Sequence, residues 1–472
     1  MSILLLSGAA VPMAAAQTSS GANEMPLYVS QFYSSTLPGG QLSPYCNVGS
    51  ASAPFVIICY TPQDLKRAYN FPSTSGFFGL DGSGQTIVII DAFGSPTVQS
   101  DLNTFDSEFN LPPTTIQIVC QNNLCPVFDP TNPDEVGWTQ EIALDTQYAH
   151  AMAPGAHIVL FVTTSDDDLV MAQGAQQAIQ RFPHSIISQS WGDPEEDLLS
   201  APSSYVSAVL STSEAAYQQA AKLGTTVFAS AGDWGADNSP LGFTSANPGF
   251  PSSSPWVTSV GGTQGNPYYL GSIPSCKGLI CSTGLVTFLN NPACQLNSDN
   301  PTATATCIPA GYGGEQVWNE PYFVAATGGA PSLIFSAPSY QHGLGLTMRG
   351  GPDVSYNAAI SGGVLAFWSV VPSAAGFYIF GGTSAGSPQW SAIAALADQL
   401  ASRTHHATIG FINPAVYSIG HNPFLYSRDF HDITVGNNII AGSTVGFSAH
   451  HGWDDASGWG TPNVSNLIQD LV

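Results

Sequence analysis

Apolar residues along this chain fall in two recurring patterns, and their alternation predicts the fold. Residues 85–93 (QTIVIIDAF), 157–164 (HIVLFVTT), 185–190 (SIISQS) and 225–232 (TTVFASAG) are short apolar runs, as expected of strands buried on both faces. Between them, 97–109 (TVQSDLNTFDSEF), 167–182 (DDLVMAQGAQQAIQRF) and 204–224 (SYVSAVLSTSEAAYQQAAKLG) carry apolar residues at helical spacing. Buried strands separated by amphipathic helices specify an α/β fold: a doubly wound, mostly parallel sheet flanked by helices, with ligands bound beyond the carboxyl ends of the strands. Regular structure opens near YTPQDLKRAYNF, where Leu65, Ala68 and Tyr69 sit at helical spacing.

Three stretches depart from this order. Residues 1–16 are apolar but broken by Ser7, Gly8 and Pro12, and close on Ala14, Ala15 and Ala16. They are similar to the second half of a secretory signal without its basic start. Residues 17–58 are rich in Ser, Gly and Pro with little periodicity, which predicts a linker or a remnant of a pro-region. Residues 264–310 hold four of the eight cysteines among many Asn, Pro, Thr and Gly, which predicts a disulfide-rich surface insertion in one large domain spanning 59–472. The cysteines fall in close pairs (Cys46 and Cys59, Cys120 and Cys125, Cys276 and Cys281, Cys294 and Cys307), a spacing that suggests local disulfides and export. No CxxC knuckle for zinc occurs.

Composition narrows the function. The 472 residues include 32 Asp and Glu but only 8 Lys and Arg, a net charge of −24, so no cationic track for nucleic acid or an anionic membrane can form. The broken apolar leader is too short for stable membrane insertion. With 43% hydrophobic and 8% charged residues, a large core is covered by Ser, Thr, Asn, Gln and Gly rather than by ion pairs. A secreted monomer is expected.

Three segments carry chemistry. In FGGTSAGSPQWSAIAALADQL, Ser384 lies between a glycine turn and a helix whose N-terminus favours negative charge; it is a nucleophile or an N-cap serine. No subtilisin-type histidine motif accompanies it. In GWTQEIALDTQYAHAMAPGA, Glu141 and Asp145 stand four residues apart and project from one helix face. Such a pair is either a solvated acidic face, or shares a proton, or serves a site. In VFASAGDWGA, Asp233 follows a buried strand, where ligands bind; it could equally cap a turn.

Together and in this order, the three segments resemble the sedolisin family of serine-carboxyl peptidases, relatives of subtilisin that work in acid. The family's ExxxD helix matches Glu141 and Asp145, its GD turn matches Gly232 and Asp233, and its GTSAxxP matches Gly382 to Pro388. The resemblance covers about residues 59–472, including YTPQDLKRAYNF, GSGQTIVIIDAFGSPT, FPSSSPWVTSVGGT, DFHDITVGNN and GWDDASGWGTPN. It implies a subtilisin-like fold and a secreted, acid-acting endopeptidase of proteins or peptides. Ser384 would attack the scissile carbonyl, Glu141 would take its proton, Asp145 would orient Glu141, and a protonated Asp233 would sit in the oxyanion hole. Glutamate suits acid because a histidine base would already be charged there.

The resemblance also implies one structural Ca²⁺ in 428–463, held by the Asp432 and Asp454 side chains and the carbonyls of Ile433, His450 and Gly452, a hard oxygen set. His450 stands where the family often has glycine. Ser190, Trp191 and Gly192 match the segment lining the family's substrate cleft, and Asp91, where subtilisins keep a catalytic Asp, is assigned a structural role. The AGDWGA turn and GGTS elbow replace the commoner SGDSG and SGTS. Family members carry a large N-terminal pro-domain, and fewer than 60 residues precede the match here, so either an upstream start codon or unaided folding is expected. Two other readings are a tripeptidyl exopeptidase of the same family and a catalytically idle, acid-stable surface protein.

Near pH 4, with about half the acids protonated and all ten histidines charged, the net charge is roughly +2 on reference pKa values, so self-repulsion is small. Neutral pH is therefore the expected stress. Melting temperature should fall as pH is raised from 4 to 7; a stability maximum at neutral pH would contradict this.

Overall fold

The computed structural model describes residues 59–76, 79–238, 245–265, 312–321 and 323–472, with the backbone of strands Leu27–Val29, Tyr45–Ser50, Ala53–Tyr60, Val286–Phe288 and Pro309–Tyr312. The signal-like segment and most of the cysteine-containing insertion lie outside the described residues.

The main sheet has eight strands: β1 (Thr86–Ala92), β2 (Gln117–Cys120), β3 (His157–Thr163), β4 (Ile186–Gln189), β5 (Thr226–Ser230), β6 (Thr258–Gly265), β7 (Glu315–Val317) and β8 (Val354–Asn357). They lie in the order β7-β6-β5-β4-β1-β3-β2, with β8 also pairing β6. Every pairing is parallel except that of β6 with β7. Six helices are named here: α1 (Pro62–Ala68), α2 (Val98–Phe109), α3 (Pro133–Met152), α4 (Asp168–Arg181), α5 (Ser203–Lys222) and α6 (Gly386–Arg403). This is the doubly wound architecture the apolar pattern predicts.

Side chains alternate between the faces of a strand, and β1 shows the consequence. Ile87 and Ile89 join the cluster containing residues of α3 and α6, whereas Val88 and Ile90 join that of α4 and α5. Asp91 continues the first series and so falls on the face of α3.

Local chemistry starts the helices where they are needed. Asn132 caps α3 by accepting from the Asp134 N–H at 3.0 Å, with Pro133 in the first turn, and Asp167 caps α4. α3 has no polar stripe: every residue from Trp138 to Met152 is buried. It lies between the main sheet and a second sheet built on β9 (Gly363–Trp368) and β10 (Gly376–Gly381). Gln147 bonds the Phe367 main chain in both directions, at 2.7 and 2.8 Å, and the Tyr148 hydroxyl donates to the Leu365 carbonyl at 2.9 Å. A helix enclosed on all sides carries its carboxylates into a dry interior.

The second sheet corrects the linker reading at three places within 17–58. Leu27–Val29 pairs with β10, Ala53–Tyr60 pairs with β9, and Tyr45–Ser50 closes the edge. The run APFVIICY has the β-branched and aromatic residues that suit a strand, a signal the surrounding Ser, Gly and Pro obscure. The Cys120–Cys125 disulfide is formed and Cys59 is also disulfide-bonded; Cys46 and the last four cysteines have side chains outside the described residues. No helix among the described residues is long and apolar enough to cross a membrane.

Candidate active site

The carboxyl ends of β1, β4 and β5 bring together Asp91, Ser190 and Asp233, and α3 and the turn before α6 add Glu141, Asp145 and Ser384. All six are buried. Ser384 lies in the 3₁₀ turn Thr383–Ala385 that leads from β10 into α6. The chain turns there on Gly382, at φ +107, where a Cβ would stand 2.5 Å from Oδ2 of Asp233. Only glycine lets the elbow come so close to that carboxyl.

The Ser384 hydroxyl donates to the Ser190 carbonyl at 3.5 Å, and the Ser190 hydroxyl donates back to the Ser384 carbonyl at 3.3 Å. Ser384 also faces Glu141 and favours its ionised form, although neither Glu141 oxygen has a partner at strict hydrogen-bond geometry. Long contacts of this kind between nucleophile and base commonly tighten only when substrate is bound. The Asp145 carboxyl interacts with the Ser190 hydroxyl and with Glu141. Asp233 accepts two hydrogen bonds on Oδ1, from the Thr383 N–H at 2.7 Å and its hydroxyl at 2.9 Å, while Oδ2 is buried without a partner.

Burial dominates the electrostatics. Glu141 is pushed well above the usual carboxylate range, first by burial and then by the charges of Asp145 and Asp91; burial and Asp91 do the same to Asp145. Burial raises Asp91 to about 8 and Asp233 to about 6, the latter held down by Thr383. Four carboxyls so placed cannot all be ionised. A carboxyl raised in the folded state contributes stability that is whole below its unfolded pKa, near 4, and is lost as pH rises through the folded value. With Asp233 at about 6, Glu320 and Asp455 at about 7 and Asp91 at about 8, the neutral-pH loss spans about pH 4 to 8.

Structure thus unites the four predicted catalytic positions and adds two groups. Asp91, assigned a structural role from sequence, bears electrically on Glu141 and Asp145, and Thr383 holds Asp233. The period-two alternation of β1 carried the signal for Asp91. Of the predicted cleft residues, Ser190 touches the nucleophile, but the Trp191 indole is committed to the core, donating to the Ile90 carbonyl at 2.8 Å, and Gly192 is buried.

The predicted calcium residues converge elsewhere. Asp432 and Asp454 both bear on the Tyr426 hydroxyl, which donates to Asp432 at 2.7 Å. Asp432 also accepts from the Gly452 N–H at 3.2 Å and faces His451 Nδ1 at 3.0 Å. Asp454 accepts from the main-chain N–H groups of His450, Ala456 and Ser457. Ile433 buries its side chain beside Val317 and Ala456, so only its carbonyl could serve an ion. Asp432 and Asp454 offer two carboxylates, hard oxygen donors of the kind a hard cation takes. No group of three or more His, Cys, Asp or Glu that could hold a metal occurs among the described residues.

A parallel sheet that collects a serine and buried carboxyls at its carboxyl edge defines a subtilisin-like fold. The Subtilase family profile matches residues 135–413. Kumamolisin of Bacillus sp. (strain MN-32) is 32% identical over 431 residues, 88% of this chain and 64% of the relative. Xanthomonalisin of Xanthomonas sp. (strain T-22) is 27% identical over 89% of this chain and 47% of its own. Human tripeptidyl-peptidase 1 is 28% identical over 70% of this chain and 52% of its own. The chain thus spans about half to two-thirds of these relatives. The solved structure of Pseudomonas sedolisin, a serine-carboxyl proteinase complexed with two molecules of pseudo-iodotyrostatin, shares the fold at a TM-score of 0.64 and 24% identity, over 88% of this chain and 98% of that one. The chain belongs to the subtilase family and, within it, to the sedolisin group.

Gly382→Ala tests the elbow. Its positive φ alone costs about 1–3 kcal/mol, and the added methyl must displace the Asp233 carboxyl. The melting temperature should fall by several degrees while the fold persists by circular dichroism, because the elbow must strain or the buried carboxyl must move. A wild-type melting temperature in this variant would contradict the assigned geometry.

Proposed function

We propose that the protein is a secreted serine-carboxyl endopeptidase that cleaves proteins and peptides in an acidic environment. The observation that carries this reading is the enclosure of Glu141, Asp145, Asp233 and Ser384 in one buried space. Ser384 Oγ attacks the scissile carbonyl and passes its proton to the ionised form of Glu141, the form that Ser384 favours against the effect of burial. The new oxyanion is held by the protonated Asp233 carboxyl and the Ser384 N–H, and its collapse breaks the C–N bond as Glu141 returns the proton to the leaving amine. Water then attacks the acyl-enzyme by the same route, with Glu141 again taking and returning the proton. Asp145 orients Glu141, and Ser190 and Gly192 border the substrate.

The protonation states set the pH range. An ionised Asp233 would repel the oxyanion, so activity disappears as pH passes the value near 6 to which burial raises it. Hydrolysis of casein should peak at about pH 3 to 4 and fall toward pH 6 to 7. Ser384→Ala should lower kcat by roughly 10⁴-fold or more. Unchanged activity in that variant would overturn the reading. Cleavage of an N-terminally blocked peptide separates an endopeptidase from a tripeptidyl exopeptidase, which requires a free amino terminus.

Ca²⁺ is proposed as a structural ion, held by Asp432, Asp454 and the carbonyls of Ile433, His450 and Gly452. When bound it supplies two positive charges to a segment that otherwise gathers acids. Chelation at pH 4 should lower the melting temperature, with recovery on adding Ca²⁺ and none in Asp432→Ala. An unchanged melting temperature would remove calcium from the account.

A further inference from the structure

The main-chain turn that carries Asp233 is not held by its own strand alone. The Gly232 carbonyl accepts from the Gly328 N–H at 2.6 Å, the Asp233 carbonyl accepts from the Ala326 N–H at 3.0 Å, and the Gly235 N–H returns a bond to the Ala326 carbonyl at 2.9 Å. The next donor, Ala236 N–H, crosses to a different part of the chain, the Asn438 carbonyl at 3.1 Å. Gly235 packs against the same carbonyl, where a Cβ would stand 2.8 Å away.

Asn438 is buried, and it joins three segments. Its Nδ2 donates to the Gly329 carbonyl at 2.9 Å, next to the Gly328 that holds the turn, and its Oδ1 accepts from the Phe447 N–H at 2.7 Å. Its own N–H donates to the Phe447 carbonyl at 3.1 Å, and the Ala449 N–H donates to the Gly436 carbonyl at 3.0 Å, so 436–449 is a closed hairpin. Asn319 anchors that hairpin through the carbonyls of Asn437 and Ile439, at 3.1 and 2.7 Å. The hairpin connects Asp432 and Ile433 to His450, Gly452 and Asp454, and Asn438 is where it meets the turn.

We infer that Asn438 is a positioning residue for Asp233: its amide locks the C-terminal hairpin and the 326–329 segment together behind the turn and so sets where the Asp233 carboxyl stands relative to Ser384. This rests on the proposed role of Asp233 as oxyanion donor. The physical requirement is one of placement, because such a donor works only within a few tenths of an ångström of its productive position. An asparagine is demanded because the site needs one donor and one acceptor on a neutral side chain. The titratable groups on the packed elements are Asp233 and Asp237 on the turn, the latter bonded to Ser443 of the hairpin, and Asp455, whose carbonyl lies behind Gly329.

Two variants test the inference against wild-type activity at pH 4, which by itself tests the function. Asn438→Ala leaves the Gly329 carbonyl and the Phe447 N–H without partners; it should lower kcat about tenfold with KM within about twofold, since the oxyanion is formed only in the transition state. Asn438→Asp is nearly isosteric, and as a neutral acid it offers the same donor and acceptor. It should restore kcat to within about threefold of wild type at pH 3 and lose it more steeply with rising pH than wild type does, because a second carboxyl must then keep its proton. Reading kcat, KM and the pH profile together separates positioning from folding. An Asn438→Ala enzyme with unchanged kcat and only a lower melting temperature, or an Asn438→Asp profile parallel to wild type, would overturn the inference.

Discussion

Burying Glu141, Asp145, Asp91 and Asp233 in one space, with no basic side chain paired to any of them among the described residues, is the constraint on which the rest of the molecule depends. Like charges in a dry interior repel strongly, and here only protons can relieve them. The buried cluster therefore keeps part of its protons well above the usual carboxylate range. In the proposed reaction the same arrangement needs no histidine: Glu141 would serve as the base with no cation beside it, and Asp233, kept neutral by burial, would supply the donor that an amide could supply at higher pH.

The remainder of the fold follows the same economy. Glu315 is buried and satisfied by the hydroxyls of Tyr69, Thr263, Thr461 and Tyr312 rather than by a cation. Glu320 takes the Trp318 indole N–H and the main-chain N–H groups of Ile360 and Ser361. Asp353 and Asp429 are exceptions: Asp353 is paired with buried Arg349 at 2.6 Å and also accepts from the Tyr417 hydroxyl at 2.8 Å, and Asp429 is paired with Arg428 at 2.7 Å. Hydroxyls suit a protein with few charges because they can donate to a carboxylate or accept from a carboxylic acid, whereas main-chain N–H groups favour the ionised form. The tolerance has a limit, since each buried acid that ionises at neutral pH must be desolvated as an anion.

Much of this was legible in the chain. Strands β1, β3, β4 and β5 and helices α2, α4 and α5 follow from the spacing of apolar residues, because a parallel sheet buried on both faces leaves continuous apolar runs and its covering helices leave stripes. The positions that meet in the buried site were legible as motifs, and Glu141 with Asp145 also as an i, i+4 pair. What stayed hidden has specific causes. α3 has no stripe to betray that it is enclosed on every side, so spacing left open whether its acids were solvated. Ala53–Tyr60 was lost in a Ser, Gly and Pro background. Trp191 looked like a cleft residue, although its indole points into the core.

By itself the sequence determined the alternation of buried strands with covering helices, the excess of acids over bases and which residue types sit at the turns, since these depend on periodicity and composition, which are local. Only the tertiary structure decided that the four carboxyls share one desolvated space, that Asp91 faces Glu141 and Asp145, and that the hairpin at Asn438 reaches the turn of Asp233. Those facts depend on which distant segments pack together. Burial of a charge is a property of what surrounds it, and no spacing along the chain records that.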